Sequence, residues 1–90
     1  MLEVKYSTKF KKDLKVCQKR HYDMAKLQQI INVLAIPTAL PPQNKDHSLT
    51  GNYIPHRECH IQPDWMLVYY QTETELYLYR TGTHSDRFGL

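Results

Sequence analysis

Five histidines occur in 90 residues, and three of them stand where an imidazole could meet solvent and a carboxylate together. His47 lies in Lys45-Asp46-His47-Ser48-Leu49, within a loop dense in Pro, Gly and Asn. His60 comes late in the alternating run Tyr53-Ile54-Pro55-His56-Arg57-Glu58-Cys59-His60-Ile61-Gln62, with Asp64 just beyond it. His84 follows Arg80-Thr81-Gly82-Thr83. An imidazole titrates near pH 6.5, so it can take or give a proton at neutral pH, and a carboxylate can orient it or act as a base itself. Metal ligation and proton transfer both use such residues. The spacing speaks against a metal ion, because there is no CxxC and no HExxH, and on a regular strand Cys59 points away from His60. Proton transfer without metal or cofactor is the expectation.

The elements that must position these groups follow from periodicity. Residues 2–6 alternate apolar and polar as a short strand. Ser7 or Thr8 can cap a helix carrying Phe10, Leu14 and Cys17 on one side, and Asp23 can cap a second with Met24, Leu27, Ile30, Ile31 and Leu34 at spacings of three and four. Pro37 ends it. Three strands follow at 53–62, 65–71 and 75–81, separated by turns at Pro63–Asp64 and Thr72–Thr74, so neighbours should pair as an antiparallel meander. The predicted fold is α+β, in the order β-α-α-β-β-β, an antiparallel sheet with a helix pair packed on one face. The other face is left for a ligand. On the first meander strand His56, Glu58, His60 and Gln62 share that polar face, and Arg57, Cys59 and Ile61 take the opposite one.

Length and charge narrow the partner. Residues 1–90 make a single domain, too short for a second core. No apolar run is long enough to span a membrane, and the first ten residues lack the pattern of a signal peptide, so a cytoplasmic chain with reduced cysteines is expected. Residues 1–26 carry eight basic residues against three acidic, and residues 27–90 four against six. A basic segment of this kind suits an acidic partner such as RNA. RNA can be cut with proton transfers alone: a base takes the proton of a ribose 2′-OH, that oxygen attacks the neighbouring phosphorus, and an acid protonates the departing 5′ oxygen. A cation would steady the phosphoryl charge.

Taken together, Lys45-Asp46-His47, Leu49-Thr50-Gly51, Arg57, His60-Ile61-Gln62-Pro63-Asp64-Trp65, Leu67, Tyr69 and Arg80-Thr81-Gly82-Thr83-His84, with Phe88 close behind, resemble the YafQ branch of the RelE toxin family across essentially the whole chain. The resemblance implies a compact ribonuclease-like fold and an enzyme that enters the ribosomal A site to cut messenger RNA, neutralised by a cognate antitoxin. By motif it assigns His47, His60, Asp64 and His84 to catalysis and Trp65 and Phe88 to the site. In the roles that follow, His84 is the acid, His47 or Asp64 the base, and His60 holds Asp64. Trp65 and Phe88 stack on bases, and Arg80 meets the phosphoryl charge. Three positions depart from the family pattern: Tyr53 replaces a tryptophan, Pro55 a glycine, and Ser85-Asp86-Arg87-Phe88 a more apolar tail.

Each position has a plainer explanation. His47 could be an exposed turn residue, Asp64 a turn former, Trp65 a core anchor and Arg80 an ion-pair partner. Two other functions stay open. A non-catalytic RNA- or ribosome-binding module would bind RNA without cutting it, and a structural subunit would ignore RNA. The free protein is expected to be a monomer.

Overall fold

The computed structural model describes residues 1–83; His84 and Phe88 lie outside the described residues. The elements are β1 (Glu3–Tyr6), α1 (Thr8–Lys19), α2 (Met24–Ala35), β2 (His47–Ser48), β3 (Arg57–Gln62), β4 (Trp65–Gln71) and β5 (Glu75–Gly82). Short 3-10 turns at Pro42–Asn44 and Gly51–Tyr53 flank β2. The α+β class and the helix pair on one sheet face agree with the expectation.

Both helices begin and end for identifiable reasons. The Ser7 hydroxyl accepts from Phe10 N at 2.9 Å and the Asp23 carboxylate from Ala25 N at 3.1 Å, satisfying donors that a first turn leaves unpaired. Between the helices His21 takes a left-handed φ of 61°, and Tyr22 N reaches back to Cys17 O at 3.1 Å. This is the Schellman closure, with histidine where glycine is usual. The C-terminal carbonyls of α2 find tertiary donors: Ala35 O receives Leu2 N at 2.7 Å and Leu34 O receives the Gln71 amide at 2.8 Å.

The sheet order is β1-β5-β4-β3-β2. The predicted meander β3-β4-β5 is antiparallel, but β1 joins β5 in parallel, with Val4 opposite Leu76, so the sheet is mixed. The connection from β1 to β5 is long, as a parallel pairing requires: it runs through both helices and the strands β2, β3 and β4. Two further details differ from the sequence expectation. Residues 47–48 form a fifth strand, and β3 starts at Arg57 rather than 53, because Gly51–Tyr53 turns and Pro55 has no N–H for a ladder.

Alternation sorts the sheet into two faces. Cys59, Ile61, Trp65, Leu67, Tyr69, Leu76 and Leu78 point to the helices and join Phe10, Cys17, Leu27, Ile31 and Leu34 in one core. Where β1 ends, α1 takes over the edge of β5: Ser7 N donates to Leu78 O at 3.0 Å, the Ser7 hydroxyl to Tyr79 O at 2.6 Å, and Thr81 N to the Asp13 carboxylate at 3.1 Å. An edge that would otherwise offer unpaired backbone is thereby closed.

Candidate active site

Register places His47, Glu58 and His60 on the face away from the helices. His47 lies opposite Glu58, Glu58 opposite Val68, and Val68 opposite Arg80, one row across four strands. The next row runs from His60 through Met66 to Gly82, the last residue of β5, from which the chain continues to His84. Asp64 is exposed in the turn at the end of that row.

The imidazoles are held alike. His47 Nδ1 lies 2.8 Å from Lys45 O, and His60 Nδ1 lies 3.1 Å from Pro63 O. His56, which the motifs did not single out, has Nδ1 2.8 Å from Tyr53 O. A carbonyl oxygen can only accept, so in each ring Nδ1 carries the hydrogen and Nε2 is left to do chemistry. For His47 that nitrogen stands 3.6 Å from Glu58 Oε1, so a proton taken up there meets a carboxylate. Glu58 is legible from alternation as a member of the face; its part behind His47 depends on the short strand β2, in a segment whose Pro, Gly and Asn content predicts a loop.

Asp46 fixes that short strand. Its Oδ1 accepts from the Tyr69 hydroxyl at 2.6 Å and from Arg57 Nε at 3.3 Å, while Arg57 Nη1 donates to the Ser48 hydroxyl at 2.7 Å. His47 therefore sits between two anchored neighbours. Burial and this carboxylate push the Tyr69 hydroxyl well above the ordinary tyrosine range. Burial, with Asp46 and Glu58 nearby, lifts the Cys59 thiol from 9.0 to about 12. Both groups stay protonated in the folded chain after their unfolded counterparts ionise, so their stabilisation is complete below the unfolded values and is lost as pH rises. Chemical denaturation should give constant stability from neutral pH to about 9, then a decline of at most about 1.4 kcal/mol per pH unit for each group. A stability that holds level at about pH 11 would contradict this assignment.

Three of the candidate residues are placed otherwise than their expected roles require. Trp65 does not present a face to a base: it is 2% exposed, its ring packs 5.0 Å from that of Tyr22, and its indole N–H donates to the Thr81 hydroxyl at 3.0 Å. Arg80 is bound to Asp13 through Nε at 2.7 Å and Nη2 at 3.2 Å, so its charge is balanced within the protein. His60 holds the Pro63 carbonyl rather than Asp64, which has no hydrogen-bond partner among the described residues. Of the assigned set the structure thus brings His47 and His60 to one face with Asp64 at its end, and turns Trp65 into the core.

The model of the YafQ family, bacterial toxins of type II toxin-antitoxin systems, matches residues 2–89. This chain belongs to the YafQ toxin family. The mRNA interferase toxin YafQ of Escherichia coli K12 is 43% identical over 88 residues, covering 97% of this chain and 96% of that one. The fold of the YafQ-family chain is matched by the E. coli DinJ–YafQ toxin-antitoxin complex at a TM-score of 0.89 and 42% identity, over 98% of each chain. A metal-bound toxin from Helicobacter pylori matches at 0.89 and 42%, over 96% of this chain and 98% of that one. Among the described residues no helix is long and apolar enough to cross a membrane.

Proposed function

We propose that this YafQ-family chain is an endoribonuclease that cuts messenger RNA in the ribosomal A site and so stops translation, as the toxin of a type II pair. The observation that supports it most is the half-exposed His47 imidazole, with Nδ1–H tied to Lys45 O and Nε2 3.6 Å from the Glu58 carboxylate. Nε2 takes the proton of a ribose 2′-OH, and Glu58 steadies the imidazolium that forms. The 2′ oxygen attacks phosphorus and the bond to the 5′ oxygen breaks. His84 gives its proton to that oxygen, leaving a 2′,3′-cyclic phosphate and a 5′-hydroxyl. These transfers need no metal ion. His60, with Asp64 at the end of its row, lies where the phosphate backbone would pass, and Phe88 is carried over as a base contact.

The chain works in the cytoplasm as a monomer until a cognate antitoxin covers it, as DinJ accompanies YafQ in the E. coli complex. The test is a primer-extension map of messenger RNA in a translating extract, wild type against His84→Ala. New 5′ ends within codons are expected with wild type, and a loss of about 10²–10⁴-fold in their rate with the variant, the usual contribution of a general acid. RNA binding without any cut product from folded wild type would make the chain a binding module instead.

A further inference from the structure

The open face carries, beside the His47–Glu58 row, a cluster of rings that the proposed chemistry does not use. His56 stands two residues before Glu58 on the same face. Its ring lies 4.7 Å from that of Tyr79 and, edge-on, 5.1 Å from that of Tyr70, while Tyr70 stacks on Tyr77 at 4.8 Å with 13° between planes. Lys9 Nζ is 5.9 Å from the centre of the Tyr79 ring. These rings are partly exposed rather than buried, and the helices lie against the opposite face. A sheet face turned to solvent ordinarily alternates to polar residues, so a row of aromatic rings there calls for an occupant.

We infer that His56, Tyr70 and Tyr79 form a stacking subsite for bases of the RNA strand flanking the cleaved bond, with Lys9 meeting a phosphate. This rests on the proposed reading that RNA is the substrate. Three observations select RNA as the occupant. The patch is continuous with the His47 row along a period of two residues, about 7 Å on a strand. The rings are flat, amphipathic and fixed, His56 by its bond to Tyr53 O at 2.8 Å, so little entropy is lost when a base lies on them. The charge matches: Lys9 belongs to the basic N-terminal segment. On the far side the Tyr77 hydroxyl donates to Glu75 at 2.7 Å, and Lys5 is paired with Glu3 at 2.8 Å. That acidic border limits the strand to the Tyr79 side.

The experiment titrates a fluorescent, uncleavable 2′-O-methyl single-stranded RNA with wild type, Tyr79→Leu, Tyr79→Phe and Lys9→Gln, each checked for folding by circular dichroism. Losing one stacked base should weaken binding by about 5- to 150-fold, since such stacking is worth about 1–3 kcal/mol. Tyr79→Phe should stay within about twofold, because the ring face remains. Lys9→Gln, an exposed change safe for folding, should lower the slope of log affinity against log salt by about 0.7, the value for one phosphate contact on a single strand. Equal affinity for wild type and Tyr79→Leu, or no binding by wild type, overturns the subsite. So does a Tyr79→Leu protein that keeps RNA affinity and loses only the antitoxin, which would make the patch a protein interface. Cleavage of messenger RNA by wild type is scored separately, so failure of the nuclease reading and failure of the subsite are told apart.

Discussion

His47→Ala should lower the rate of RNA cleavage by about 10²–10⁴-fold while leaving the melting temperature close to wild type. The two halves of this expectation have different origins. The side chain is half exposed, at 50%, and buries little apolar surface, so its removal costs stability only the bond to Lys45 O, about 1 kcal/mol. The rate depends on an Nε2 lone pair held in one place, which no neighbour can supply once the ring is gone. Because base and acid act in one reaction, His47→Ala combined with His84→Ala should be little slower than the worse single variant. Initial rates of 5′-end formation at matched concentrations of folded protein decide the matter. If His47→Ala cleaves within a few-fold of wild type, the base is elsewhere. Asp64, exposed at the end of the row, is then the group to change next, as Asp64→Asn.

How much of this could be read from sequence varies with the range of the interaction concerned. The helices were legible because their signals are local: Ser7 and Asp23 as caps, and apolar spacings of three and four. The three-strand meander was legible because short turns fix antiparallel neighbours. The parallel β1–β5 pair was not, since nothing local in residues 3–6 says which strand they will meet after two helices. The site divides in the same way. Alternation placed His56, Glu58 and His60 on one face correctly. The partnership of His47 with Glu58 required the two-residue strand β2, too short for any periodicity, which is fixed instead by Asp46 reaching Tyr69 and Arg57. The fate of Arg80 depended on Asp13, 67 residues away in sequence. A motif match tells which residues recur together, but not which of them touch substrate.

Trp65 makes the last point testable, because its two readings predict opposite results. As a core anchor, Trp65→Ala should cost about 3–5 kcal/mol, the range for removing a buried large aromatic. Folded domains have only about 5–15 kcal/mol in all, so this variant should be largely unfolded or near its melting point at 37 °C. Trp65→Phe is the sharper probe. It keeps most of the ring against Tyr22 but removes the indole N–H, so the buried Thr81 hydroxyl, still donating to Met66 O at 2.8 Å, loses its incoming bond. The expected cost is about 1–3 kcal/mol. At about 4–8 °C per kcal/mol for a domain of this size, that is a clear fall in melting temperature. Assayed well below that temperature, folded Trp65→Phe should cleave RNA within a few-fold of wild type, because Thr81 and the end of β5 remain in the sheet through the Leu67 pairing. A base-stacking tryptophan would behave the other way. Phenylalanine would leave stability untouched and weaken substrate engagement by about 3- to 5-fold, since it keeps a ring but its smaller face covers less of a base. Wild-type melting with impaired cleavage would return Trp65 to the substrate surface; a lowered melting temperature with near-normal cleavage keeps it in the core, where its work is to fix the strand that leads to His84.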